Sequence, residues 1–242
     1  MRTEKLAIGI FTLLLMLTTI ACAVPGFSGS QATSTPQADS DFLSFTVPGY
    51  TTSLSPGENV PGSRLEYIGQ EGDAYRVRID GQESIKRIGD SFTWAGIIAP
   101  GIYGEYSLRL TTALLGPLPA AGTVKITVLD WLPTELTTLP DLTNAIHYGN
   151  IPVIDLTVPV GESVLASNMI YDGIVTQGGT EFAQLTNAAG NKLFAELDSV
   201  VWTGTLRENV FLRYNLRVIS FNENNIVLGG TAEIWLTDPT YP

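Results

Sequence analysis

Residues 102–110 read Ile102-Tyr103-Gly104-Glu105-Tyr106-Ser107-Leu108-Arg109-Leu110, with Ile102, Tyr106, Leu108 and Leu110 on one side of a period-two pattern. That alternation predicts a half-buried β-strand, since successive side chains of a strand point to opposite faces. Further along the chain Val210, Leu212, Tyr214, Leu216 and Val218 repeat the pattern. Tyr106-Ser107-Leu108-Arg109 matches Tyr214-Asn215-Leu216-Arg217 at a displacement of 108 residues. The strand therefore belongs to a repeat.

The repeat extends in both directions. The same displacement pairs Asp90-Ser91 with Asp198-Ser199, Trp94 with Trp202, Gly96 with Gly204 and Gly122-Thr123 with Gly230-Thr231. Upstream, a displacement of 104 aligns Gly57-Glu58-Asn59-Val60 with Gly161-Glu162-Ser163-Val164, and Tyr67 with Tyr171. Two homologous modules are expected, residues 42–132 and 150–242, joined by a linker at 133–149. Val124, Ile126 and Val128 give the first a closing strand, and Ala232, Ile234 and Leu236 do so in the second. Residues 180–197 carry apolar residues near helical spacing, but Asn187-Ala188-Ala189-Gly190-Asn191 reads as a turn, so a longer hairpin is expected there. The fold class is all-β: two tandem antiparallel β-sandwich modules, each similar in size to an immunoglobulin-like domain.

Composition narrows the function. The chain of 242 residues has 24 acidic and 13 basic side chains, a net charge of −11, which excludes the clustered basic surface that nucleic acid requires. One cysteine forbids an internal disulfide, and one histidine leaves a zinc site short of ligands, so neither metal nor cofactor is expected. Residues 42–132 carry nine acidic and seven basic residues, and residues 147–242 carry ten and four, so the second module is the more acidic and suits a basic partner or a cation.

The N-terminus reads as an address. Arg2 and Lys5 precede an apolar run from Leu6 to Ile20, the layout of an export signal over residues 1–21. Thr19-Ile20-Ala21-Cys22 resembles the lipobox of bacterial lipoproteins, with Thr19 in place of the usual Leu. The resemblance implies lipidation, with palmitate among the acyl groups, of the chain's one cysteine, Cys22. It also implies a cell-membrane or outer-membrane anchor facing the extracytoplasmic side; Ala23 is not the Asp associated with inner-membrane retention. Residues 22–41, Gly-, Ser-, Thr- and Pro-rich after the cysteine, read as a tether.

Glu58 and Glu162, Asp90 and Asp198, and Asp130 and Asp238 recur at equivalent positions, which points to turn-stabilising roles. Asn222-Glu223-Asn224-Asn225 has too few carboxylates for a calcium loop and reads as a hairpin turn. His147, without a serine elbow or second histidine, is expected to be solvated or at an interface. Trp94 and Trp202 are expected as equivalent core anchors. Trp235, whose counterpart is Thr127, shares an outward face with Glu233, and Tyr103 and Phe211 also point outward. These three are the candidate binding residues. The expected function is non-enzymatic: a membrane-anchored envelope module that binds or spaces an envelope protein or a glycan. A glycan-binding module is the first alternative, and a carboxylate-based hydrolase, needing a deep acidic cleft at the module junction, is the second.

Overall fold

Period-two alternation carries through both repeats, and the elements it produces are strands. A computed structural model describes residues 35–39, 41–112, 117–187 and 190–240. The first repeat holds β1 (Gln37–Ala38), β2 (Phe42–Leu54), β3 (Leu65–Glu71), β4 (Ala74–Ile79), β5 (Gln82–Lys86), β6 (Ser91–Ala99), β7 (Ile102–Leu110) and β8 (Leu118–Leu129). A short β9 (Thr134–Glu135) leads to β10 (Ile146–Pro159), β11 (Ile170–Gln177), β12 (Thr180–Asn187), β13 (Gly190–Phe194), β14 (Ser199–Arg207), β15 (Val210–Phe221) and β16 (Asn225–Leu236). No helix occurs among the described residues.

Each repeat has a large sheet and a small one, all antiparallel: β1-β2-β8-β7-β6 with β3-β4-β5, and β10-β16-β15-β14-β9 with β11-β12-β13. The all-β fold of two sandwich-like modules is as expected. Strands adjacent in sequence are adjacent in each sheet, except that the first long strand returns beside the last, β2 on β8 and β10 on β16, and that the short β9 lies on β14. This is a meander closed by its first strand, rather than the B–E and C–F pairing of immunoglobulin domains. Three stretches expected outside the modules are strand: Gln37–Ala38 pairs with Leu43 and Ser44, Thr134–Glu135 pairs with Thr205 and Gly204, and residues 146–149 belong to β10.

The two repeats match pair for pair. β3–β4 shifts register between Tyr67 and Gly69, and β11–β12 does so between Tyr171 and Gly173. Val175 opposite Phe182 corresponds to Glu71 opposite Ala74, and beyond it the second hairpin adds Thr176–Glu181 and Gln177–Thr180. Those added pairs hold the four extra residues of the second copy. Where helical spacing competed, Thr180–Asn187 and Gly190–Phe194 are the paired antiparallel strands β12 and β13.

The repeated residues also have repeated jobs. Trp94 and Trp202 are buried, and each indole crosses the glycine two residues ahead on its own strand face. A Cβ on Gly96 would lie 2.5 Å from Trp94 Cζ2, and one on Gly204 2.3 Å from Trp202 Cη2, so only glycine admits the ring. Trp94 Nε1 donates to Asp80 Oδ1 at 2.9 Å, and Trp202 Nε1 to Asn168 Oδ1 at 2.8 Å. Asp90 accepts the Arg87 N–H at 2.8 Å and Asp198 the Ala195 N–H at 2.7 Å, closing equivalent turns. Glu58 likewise accepts the Ser55 N–H, whereas Pro159 at the matching place has none to give. Asn222 Oδ1 accepts from the backbone of Asn224 and Asn225, as a hairpin turn requires.

Thr33–Pro242 is one compact unit, and the buried side chains of both repeats belong to one core. Beyond β8 the Leu132 N–H donates to the Leu206 carbonyl at 2.8 Å; beyond β16 the Thr240 N–H donates to the Ile98 carbonyl at 2.6 Å. The 108-residue displacement carries Leu132 to Thr240 and Ile98 to Leu206. Each repeat therefore sends its tail onto the other, the reciprocal pattern of an isologous dimer built within one chain.

One hydroxyl pair breaks this symmetry. Tyr106 Oη donates to the Pro61 carbonyl at 2.8 Å and lies 2.5 Å from Tyr148 Oη. Tyr148 stands opposite Ile234 as Phe45 stands opposite Ile126, so its counterpart in the first repeat has no hydroxyl. Tyr214, the counterpart of Tyr106, has a buried hydroxyl with no hydrogen-bond partner among the described residues. Tyr106→Phe should cost about 1 to 3 kcal/mol by stranding its partners, while Tyr214→Phe should be neutral or stabilising. Urea unfolding of both variants decides the point, and equal losses would refute the assignment.

Candidate functional site

Trp235 lies on the outer face of β16, where alternation places it, and the neighbouring strands decide its surroundings. Register sets His147 of β10 on one side and Phe211 of β15 on the other. The His147 imidazole stacks on the indole with centroids 4.7 Å apart and planes 8° apart. Arg213 stands 5.9 Å from the Trp235 ring centroid on the β15 side. Glu233, one row along the same face, accepts from Asn215 Nδ2 at 3.0 Å and lies 3.2 Å from His147 Nε2. The result is a half-exposed indole clamped by an imidazole, with a carboxylate fixing that imidazole's edge.

The other two candidates diverge. Tyr103 is 39% exposed and pairs across the first repeat's outer face with Ile97 and Thr127. Its repeat counterpart Phe211 is only 9% exposed, so it supports Trp235 from the side and presents little surface of its own. His147, Asn215 and Arg213 complete the face, and the sequence did not pair them with Trp235. The alternation of Ile146 and Tyr148 with Ile151 and Val153 was the available signal. It is interrupted by a bulge between Tyr148 and Ile151, where Asn150 takes a φ of 54°.

The chain matches no protein-family model, no curated protein and no solved structure.

Beside His147 a concavity of about 540 Å³ opens, walled by Tyr50, Pro61, Asn144, His147 and Pro239. A second basin of about 320 Å³ adjoins it along Thr143, Asn144, Ala145 and Pro239 and ends at Asp141 and Asp238. Tyr50 is held by ring contacts with Tyr148 at 6.1 Å and Tyr106 at 6.3 Å, and burial pushes its phenol above the ordinary range against the effect of a hydrogen bond with Thr52. The Thr143 hydroxyl and N–H both donate to Asp141 Oδ1, holding that carboxylate below its usual range.

A separate open cleft of about 590 Å³ lies where the repeats meet, lined by Asp130, Glu208, Asp238 and Arg207 among others. This is the place where a carboxylate pair would have to act. Arg207 donates to the Leu129 carbonyl and pairs with Asp130 at 3.8 Å, and the Asp130 side chain is 89% exposed. Acid and base roles need carboxylates in contrasting environments, and the cleft gives Asp130 an aqueous one. Among the described residues, no three His, Cys, Asp or Glu side chains gather where they would hold a metal ion. Cys22 lies outside the described residues.

Proposed function

We propose that the protein is a non-enzymatic lipoprotein of the bacterial envelope, anchored through Cys22 on the extracytoplasmic side, whose second repeat binds an envelope macromolecule. The observation that carries the reading is Trp235, an aromatic that the repeat does not require, since Thr127 serves in its place. It stands half-exposed and immobilised by His147. Tryptophan is enriched among binding hot spots, and a ring already fixed by stacking loses little freedom when a partner covers it. The anchor reading rests on the lipobox resemblance and on Cys22 being the chain's one cysteine.

Two experiments in the native host test the two parts. Metabolic labelling with a palmitate analogue should mark the wild-type chain and leave Cys22→Ser unlabelled; equal labelling of the two would end the anchor. Affinity capture from envelope extract should recover a partner with the wild type and lose it with Trp235→Ala, which removes about 2 kcal/mol of binding if the ring is a hot spot. The variant should melt close to the wild type. A Trp235→Ala protein that unfolds, or that captures the partner undiminished, would make the indole a structural wedge.

A further inference from the structure

The two joined basins beside His147 have a chemical character distinct from the rest of the surface. Their aromatic walls are fixed: Tyr50 rests against Tyr148 and Tyr106, and His147 is stacked on Trp235. Between them the exposed Asn144 carboxamide, which has no hydrogen-bond partner among the described residues, can both donate and accept. No lysine or arginine lines either basin, and the far end carries the Asp141 and Asp238 carboxylates. A ligand here must bring hydroxyl donors, tolerate nearby negative charge and present apolar faces to two rings. Phosphates and fatty acids fail the charge requirement, and hydrocarbons leave Asn144 unanswered. Each basin falls within the size range of ordinary small-molecule sites.

From this arrangement we infer that the groove binds an uncharged oligosaccharide, with sugar faces against Tyr50 and His147 and vicinal hydroxyls on Asn144. This rests on the reading of the second repeat as an envelope-binding module and gives that site its ligand class. Because His147 lies directly on Trp235, an occupied groove changes the indole's surroundings, and tryptophan fluorescence reports it.

The test titrates the purified full-length lipoprotein, in detergent, with cellohexaose, xylohexaose, mannohexaose, maltohexaose and chitohexaose, followed by fluorescence and calorimetry. Saturable binding of at least one probe is expected, little changed by added salt and weakened about tenfold or more in Asn144→Ala, a loss of about 1.4 kcal/mol. Ile85→Ala, an exposed residue on β5 of the first repeat, should bind as the wild type does. Asn144→Ala should keep the wild-type melting temperature, because the side chain is exposed. Failure of every probe, or binding that Asn144→Ala leaves unchanged, overturns the inference. So does salt-sensitive binding of a hexalysine peptide that Asp141→Asn abolishes while no sugar binds, because the groove is then a basic-peptide site. The Trp235 capture experiment is read separately, so a protein partner lost with Trp235→Ala survives a negative sugar result.

Discussion

Above about pH 10 three deeply buried phenols alone should cost the folded chain about 4 kcal/mol of stability per pH unit. Burial raises the phenol pKa of Tyr106, Tyr148 and Tyr214, with the Tyr50 and Tyr106 neighbours adding to the rise at Tyr148. The unfolded chain ionises these groups near pH 10, whereas the folded chain keeps their protons. Each therefore contributes stability that is intact below the unfolded value and is lost as pH climbs toward the folded one, at about 1.4 kcal/mol per unit. Urea midpoints at about pH 8 and about pH 11 measure the effect, and Tyr148→Phe should remove about 1.4 kcal/mol per unit from the slope. A midpoint that does not move over this interval would mean that the phenols are not buried as described.

Trp202→Ala should cost about 3 to 5 kcal/mol, and Trp94→Ala should fall in the same range, as for other large-to-small core changes. Both indoles fill the core above a glycine recess and both satisfy their N–H, so alanine leaves a cavity and removes the hydrogen bond to Asn168 or Asp80. Gly204→Ala attacks the same unit from beneath, because its methyl would enter the volume of the Trp202 ring and meet the Thr134 carbonyl at 2.4 Å. Chemical denaturation of the three variants provides the comparison. A loss under about 1 kcal/mol in either tryptophan variant would show that the ring is not a core anchor.

Much of this was legible in the chain. Alternation marked β7 and β15, because a sheet with one wet face must place apolar residues two apart. The repeat located Trp94 and Trp202, and the recurrence of Asp90 and Asp198 pointed to turn carboxylates; both accept a backbone N–H three residues back. Trp-x-Gly, present in both copies, was a further signal of a ring lying over a glycine.

Tertiary structure decided the rest. Alternation specifies which face a side chain takes, but strand order determines what lies beside it. Tyr103 and Phe211 occupy equivalent outward positions, yet the former has Thr127 as its β8 neighbour and the latter has Trp235 on β16. His147 reads as part of a linker until β10 pairs with β16 and sets the imidazole on the indole. The reciprocal bonds of Leu132 and Thr240 join residues 74 and 142 positions apart, and no local pattern encodes contacts over such separations. By itself the sequence determined two β modules and their turns; strand order and the packing of one repeat on the other, through long-range pairing of backbone groups and burial of Tyr148 against Tyr106, decided which side chains gather around Trp235.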